Sequence, residues 1–575
     1  MNETTRPLLL ELPHATNIDS ILRERLATEP ESTIIERNTA ASWTPVTVDQ
    51  FNRTVMDVAK GFVALGVQPG DKIGIMSRTR FEWTVLDFAA WAAGAVPVPI
   101  YETSSASQVE WILSNSEISI LVVENDANAA TVASIRDRAP YCREVFTLDN
   151  DGLGALISHG TDVQDAEIDQ RRQIATLDDL ATIIYTSGTT GRPKGVELTH
   201  GNFMLTALNT VADIPEVFNG EARAMLFLPL AHVFARFVEV IAIAGGSVLG
   251  HSPDIRTLVP DLKAFKPTYV LAVPRVFEKI YNAAEQSSAA EKARPYFNWA
   301  TRVAISYSRA LDTPQGPSTW LKVQHMFADG FVYNKLRSNL GGKAKYAVSG
   351  GGPLGERLGH FYRGLGLNVM EGYGLTESTA PASVNKPDGR TRIGSVGELL
   401  PGHSAKISQD GEILLKGHNI FRGYHKNPTA TAESFTEDGW FRTGDLGTID
   451  DNGFLAITGR KKEIIVTAGG KNVAPAVLED RVRAHALVSQ CVVVGDNKPF
   501  IGAMITIDPE GLRGWLTMHN KSQMTVAEAM ADEDVNASIA RAIERANEAV
   551  SHAEAIKKHT ILPGDFTIDN GYLTP

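Results

Sequence analysis

The sequence predicts an α/β protein of layered, largely parallel sheets, with a smaller β-rich subdomain and a compact α/β unit at its end. Three observations carry this. Amphipathic helical stretches alternate with short apolar strands through the first two thirds of the chain, and repeated helix-then-strand units build α/β layers. After about residue 380 the pattern becomes short strands and tight turns. Beyond Arg460 a helix-and-strand pattern returns.

The elements follow in order. FNRTVMDVAKGFVALGV reads as an amphipathic helix ending at glycine, and KIGIMS follows it as a buried strand. The same unit recurs at VEWILSNSEISILVVEN, at TLVPDLKAFKPTYVLAVP and at GERLGHFYRGLGLNVMEGYG. GSVGELLPGHSAKIS, DGEILLKG and DDNGFLAITG supply the short strands of the β-rich part. In the last unit QCVVVG and FIGAMITI read as strands, and residues 525–558 read as a helical stretch.

A chain of 575 residues is too long for one ordinary core, so several subdomains are expected. Hydrophobic residues make up 43% and charged residues 21%, enough apolar material to bury cores and no bias toward disorder. A formal net charge of -12 argues against a general nucleic-acid binder. Cys142 and Cys491 are the only cysteines, which fits a reducing compartment better than a disulfide framework. The start, MNETTRPLLLELPHA, lacks the apolar stretch of a secretory signal. No apolar run reaches the roughly 18 residues of a spanning helix. The expected location is the cytosol, with peripheral contact at the inner face of a membrane if the substrate is apolar.

Residues 183–200, IIYTSGTTGRPKGVELTH, combine three Gly, five Ser or Thr hydroxyls, an Arg and a Lys behind an apolar run. Gly188, Gly191 and Gly195 can take positive φ and let main-chain N–H groups converge on an anion. Ser187, Thr189 and Thr190 add donors, and Lys194 adds a mobile charge. The stretch reads as a phosphate cradle but not as a Walker A loop, because Lys194 lies between Pro193 and Gly195. Tyr373, in GYGLTE, offers a flat face for adenine, Thr376 a hydroxyl for a phosphate, and Glu377 a hard oxygen for Mg²⁺. Gly350, Gly352 and Gly355 spell G-x-G-x-x-G, with Glu371 at the distance of a ribose-binding acid, so a dinucleotide site is a rival. Against the rival, Pro353 falls inside the fingerprint, and Lys194, Asp445 and Arg460 are left unexplained.

Taken together, TSGTTGRPKG, AHVF at 231–234, SGGGPL at 349–354, GYGLTE at 372–377, WFRTGD at 440–445 and GRKKE at 459–463 resemble the AMP-forming, adenylate-forming superfamily. That superfamily includes acyl-CoA synthetases, luciferases and the adenylation domains of peptide synthetases. The resemblance implies a large N-terminal domain, residues 1–459, with two α/β layered sheets and a small β-rich subdomain. It also implies a small mobile α/β C-terminal domain, residues 460–575. By the same resemblance Thr186, Ser187, Gly188, Thr189, Thr190, Gly191 and Lys194 hold the β- and γ-phosphates of ATP. Gly351, Gly352, Pro353, Glu371, Gly372, Tyr373 and Gly374 form the nucleotide pocket. Thr376 meets the α-phosphate, Glu377 the Mg²⁺, and Asp445 and Arg460 the ribose and phosphate. Lys194, Thr376, Glu377 and Arg460 are thereby the implied catalytic groups. Lys462 is the implied hinge, and Gly469 and Gly470 flank the arm of CoA.

The apolar run LFLPLAHVFARFVEVIAIAGG and YETSSASQVEWILSNS resemble the long-chain fatty acid CoA ligase branch. His232, Val233, Phe234, Gly350 and Gly351 are then acyl-site residues, with His232 and Phe234 gating the pocket. Residues 293–340 place Tyr296, Phe297, Trp299, Trp320 and Phe327 among Arg302, Arg309, Lys322 and Lys335, and read either as a membrane-facing or substrate-entry patch or as helices packed on the core. One departure stands out. The family's adenylation lysine follows a Gly-x-Leu-Thr-Pro turn, whereas this sequence stops at GYLTP, and neither Lys557 nor Lys558 has that context. The expectation is therefore a chain truncated before that lysine. The implied activity is ATP- and Mg²⁺-dependent conversion of a long-chain fatty acid to acyl-CoA through acyl-AMP. A fatty acyl-AMP ligase serving a carrier protein, or a catalytically impaired nucleotide- and lipid-binding homologue, are the alternatives.

Overall fold

After Lys72, KIGIM carries no polar side chain because its strand, Lys72–Met76, lies between Val96–Ile100 and Ile118–Val123 and parallel to both. A central parallel strand is covered on both faces and has no side to give to water. Glu144–Thr147 completes this four-stranded parallel sheet. The computed structural model describes residues 2–39, 42–186, 192–287, 294–387, 389–468, 471–567 and 570–573.

A second sheet of nine strands is parallel through its middle and antiparallel at both ends. Its parallel neighbours Tyr346–Ser349 and Asn368–Leu375 deliver their C-terminal ends to the same place, and there the chain turns through Thr376–Ser378 into Ala380–Val384. Gly374 is required at this bend, since a Cβ would run into the Ala380 carbonyl. The two sheets are therefore the layered α/β part that the alternation predicted.

The β-rich part is a five-stranded antiparallel sheet of Glu3–Thr5, His403–Ile407, Glu412–Gly417, Phe441–Ile449 and Leu455–Arg460. A three-stranded sheet joins it to the rest, with Lys194–Thr199 between Leu180–Thr186 and Gly423–Tyr424.

The last unit has its own apolar core, including Leu478, Val482, Ile505, Trp515 and Ile539. Its strands Val488–Val494 and Ile501–Ile507 fall where the sequence predicts them. The helical stretch expected over residues 525–558 holds in two pieces as far as Asn547 and fails beyond it. Helices span Val526–Ala529 and Glu533–Asn547, and Ile556–Leu562 is a strand parallel to Ile501–Ile507. The Asn547 side chain makes the change of direction, accepting the Ile556 N–H at 2.8 Å and donating to the Ile556 carbonyl at 3.1 Å. Lys557 and Lys558 consequently sit exposed on this strand.

Candidate active site

The glycine-rich stretch connects two antiparallel strands. Leu180–Thr186 leads in, Lys194–Thr199 leads out, and Thr186 faces Lys194 in the register. A strand–loop–strand hairpin differs in architecture from the strand–loop–helix of a Walker A motif, in agreement with the spacing around Lys194. Ser187, Gly188, Thr189, Thr190 and Gly191 lie outside the described residues, as do Gly469 and Gly470. The exit of the loop is anchored from the helix Ala106–Ser116. Trp111 donates its indole N–H to the Pro193 carbonyl at 2.8 Å, and the Arg192 guanidinium lies 4.8 Å from the Trp111 ring centroid.

Lys194 Nζ sits 4.8 Å from the ring centroid of Tyr424, and the Tyr424 hydroxyl donates to Glu377 Oε1 at 2.8 Å. Tyr424 thus bridges the loop lysine and the carboxylate of GYGLTE. Burial first, and the Glu377 carboxylate second, push its phenol above the usual value, so it remains a donor. Tyr424 is placed by the short strand Gly423–Tyr424 pairing with Lys194–Thr199.

A second constellation lies across the cavity. Asp445 and Arg460 are register partners on neighbouring strands of the five-stranded sheet. Arg460 Nε donates to Asp445 Oδ1 at 2.9 Å, and the Tyr373 hydroxyl donates to Asp445 Oδ2 at 2.7 Å. Asp445 is buried, and both its oxygens are engaged. Burial and the Asp445 carboxylate hold the Tyr373 phenol well above its ordinary pKa.

Lys194, Tyr424, Glu377, Tyr373 and Arg460 line one cavity of about 910 Å³. At its polar end are Thr186, Lys194, Tyr373, Thr376, Glu377 and Arg460, with Gly372, Gly374 and Lys462 also on the wall. Ile214, Phe218, Phe237, Val238, Ile241 and Leu400 line it too, so its wall is partly charged and partly oily. His232, Val233, Phe234, Gly350 and Gly351 are on the same wall. His232 caps the helix Val233–Ala244 through Nδ1, which accepts the Phe234 N–H at 3.1 Å. Its ring is not buried in the core: it faces the cavity, and the enclosing walls lower its pKa, which favours the neutral imidazole. A Cβ at Gly350 would stand 3.1 Å from the Phe234 ring, so a glycine there gives the ring its place.

Not every expected residue reaches this space. Glu371, Gly352, Pro353 and Asp445 lie off the cavity wall. Glu371 accepts the Leu354 N–H at 2.9 Å and so pins the turn that follows Ser349. Burial raises its pKa, and that hydrogen bond partly opposes the rise. Sequence reasoning missed Tyr424, Trp111 and the channel residues Ile214 and Phe218. Tyr424 follows a glycine as Tyr373 does, but nothing local marks it, because its partners come from distant strands.

The comparisons with known proteins agree with this geometry. Residues 22–425 match the AMP-binding enzyme family, and residues 462–568 match the AMP-binding enzyme C-terminal domain. The chain belongs to the AMP-binding, adenylate-forming family. Within it the chain falls in the long-chain fatty acid CoA ligase branch. It is 48% identical to the long-chain-fatty-acid–CoA ligase FadD15 of Mycobacterium tuberculosis over 100% of this chain and 96% of the relative. It is 30% identical to the long-chain-fatty-acid–CoA ligase ACSBG2 of Xenopus laevis over 93% of this chain and 77% of that one. ATP-bound MatB from Rhodopseudomonas palustris shares the fold with a TM-score of 0.70 at 24% identity, over 96% of this chain and 95% of MatB.

Proposed function

We propose that the protein activates long-chain fatty acids to acyl-CoA, using ATP and forming acyl-AMP on the way. The observation that carries the reading is one cavity whose wall carries both a cluster of side chains suited to phosphate and sugar and a set of large apolar side chains. A nucleotide and an acyl tail then meet at Gly350, Phe234 and His232. In the first step a fatty acid carboxylate oxygen bonds to the α-phosphorus of ATP. The bond from that phosphorus to the bridging oxygen breaks, and pyrophosphate leaves. In the second step the sulfur of CoA, having lost its proton, bonds to the acyl carbon, and AMP leaves with the electrons of the carbon–oxygen bond.

Charge neutralisation and positioning are the main tasks in such chemistry. Lys194 and the 186–191 loop suit the β- and γ-phosphates, Thr376 the α-phosphate, Tyr373 the adenine, and Arg460, held in place by the buried Asp445, the ribose side. Of the glycine segment, Gly351 and Gly372 give the nucleotide room, while Glu371 acts through the turn it pins. Glu377 would hold Mg²⁺, which neutralises phosphate charge when bound. Its Oε1 carries the Tyr424 bond, and its Oε2 has no hydrogen-bond partner among the described residues. No group of three or more His, Cys, Asp or Glu side chains gathers among the described residues to hold a metal. One carboxylate completed by phosphates and water suits a small, strongly hydrated cation.

We place the domain boundary at 459/460 and the hinge at Lys462, which follows the last strand of the five-stranded sheet. Gly469 and Gly470 are assigned to the CoA arm on the resemblance alone. A cytosolic enzyme with peripheral contact at a membrane completes the reading. A fatty acyl-AMP ligase would share the first step and differ in the thiol acceptor. Palmitate-dependent exchange of labelled pyrophosphate into ATP tests the first step: exchange that needs both palmitate and Mg²⁺ is expected, and none under any condition would leave a nucleotide- and lipid-binding homologue as the better account.

A further inference from the structure

Residues 295–345 carry seven Lys and Arg against two Asp, in a chain whose formal net charge is -12. Both acids are already matched, Asp329 by Arg337 at 2.6 Å and Asp312 by Arg363 at 2.6 Å. On this basic ground stands an unusual helix. Thr319–Ala328 continues through a wide turn, Asp329–Tyr333, into Asn334–Asn339. One side is the anchored side. Ala328 and Tyr333 are buried, the Tyr333 hydroxyl donates to the Ala300 carbonyl at 2.7 Å, and His325 Nε2 bonds the Gly364 carbonyl at 2.6 Å.

The opposite side is also apolar. Trp320 is 69% exposed and Phe331 77%, with Phe327 between them along the same face and Met326 beside it, each more than half exposed. A surface helix normally turns a polar face to water, and clustered exposed aromatics mark a surface that is covered in use. Lys322 and Lys335 flank the stripe, and Arg302 and Arg309 are exposed on the preceding helix, Arg294–Leu311.

We propose that this face is a docking surface for an anionic lipid bilayer, with Trp320, Phe327 and Phe331 inserting at the interface and Lys322 and Lys335 meeting the headgroups. Aromatic side chains suit the level where acyl chains meet headgroups, and the basic residues add attraction to a negative leaflet. The charge argument selects this occupant: the rest of the chain sums to -17, from -12 overall and +5 here, and is repelled by the same lipid, which orients the protein with this face down. The inference deepens the lipid-substrate reading by naming the surface through which substrate is met, and it is testable without catalysis.

The test is co-sedimentation with phosphatidylcholine vesicles, with and without phosphatidylglycerol, in the absence of ATP, fatty acid and CoA. The full chain is compared with Trp320→Ser/Phe331→Ser and with Lys322→Glu/Lys335→Glu. Binding to the phosphatidylglycerol vesicles that weakens with salt is expected. The first variant should lose about tenfold or more, and the second should lose the preference for anionic lipid. No binding by the parent chain, or binding equal in all three, overturns the proposal. So does a concentration-dependent dimer abolished by the Ser variant, which would assign the face to a second copy. Each variant's cooperative thermal melt should match the parent's, which shows that it is folded; no AMP from the parent with palmitate would sink the ligase reading and leave the vesicle result standing.

Discussion

Tyr424 is the side chain that ties the two halves of the candidate phosphate site together. It donates to Glu377 at 2.8 Å while its ring faces the Lys194 ammonium. Removing the hydroxyl but keeping the ring, in Tyr424→Phe, deletes one hydrogen bond to a carboxylate, worth about 1.5–3 kcal/mol. Steady-state kinetics should show kcat/KM for Mg²⁺-ATP reduced about tenfold, with the Mg²⁺ requirement shifted to higher concentration and KM for palmitate unchanged. An unchanged Mg²⁺ requirement would show that the bond does not position Glu377. Lys194 and Glu377 were marked in the sequence by the chemistry of their glycine-containing segments, and Asp445 and Arg460 by the family resemblance of RTGDLG and GRKKE. Tyr424 was not, because its contact to Lys194 spans 230 positions and exists only once two strands pair. Asp445 shows the reverse limit. Its identity was legible, yet the engagement of both its oxygens by Tyr373 and Arg460 depends on a register that only the folded sheet fixes.

The helix Val233–Ala244 does two jobs on two faces. Phe234, Phe237, Val238 and Ile241 face the cavity, while Arg236 and Glu239 are fully buried on the other side with Asp87. Arg236 pairs with Asp87 and donates to the Thr182 hydroxyl at 2.8 Å. Glu239 has no ion pair among the described residues, and burial together with the nearby Asp87 raises its pKa well above 4.5. The folded protein therefore keeps a proton that the unfolded chain releases. This contribution to stability is fully present below about pH 4.5 and is lost as pH rises through the raised folded-state pKa. Glu239→Gln, neutral at every pH, should flatten the fall of Tm with rising pH and equal or exceed the parent at pH 8; parallel Tm curves for the two proteins would contradict this. At this scale the alternation of helix and strand was readable because period and burial agree, as in Lys72–Met76 between two parallel neighbours. It failed at Ile556–Leu562, where the helical run continues by composition but Asn547 clasps Ile556 and tertiary pairing takes the segment into the sheet.

In the whole molecule, two layered sheets, a β-rich part and a separately cored C-terminal unit border one cavity that carries the candidate site. The polar wall comes from hairpins and strand ends, and the apolar wall from the flank of the helix Val233–Ala244 and from Ile214 and Phe218, which follow the helix His200–Asp213. That division explains why the motifs announced the polar end and the run around His232 part of the apolar wall, while the rest of that wall stayed hidden. Glycines, hydroxyls and charges in a loop are locally distinctive, whereas Ile214 and Phe218 differ in nothing visible from core residues. The basic, aromatic segment was legible as a cluster, but only the structure shows that its helix is apolar on both sides. The central claim is that one cavity couples ATP cleavage to acyl transfer onto CoA. Mass spectrometry of products from ATP, Mg²⁺, palmitate and CoA tests it directly. Palmitoyl-CoA and AMP in equal amounts, both absent when Glu377→Ala replaces the parent, is the predicted result, whereas AMP without palmitoyl-CoA, or neither product, would contradict it.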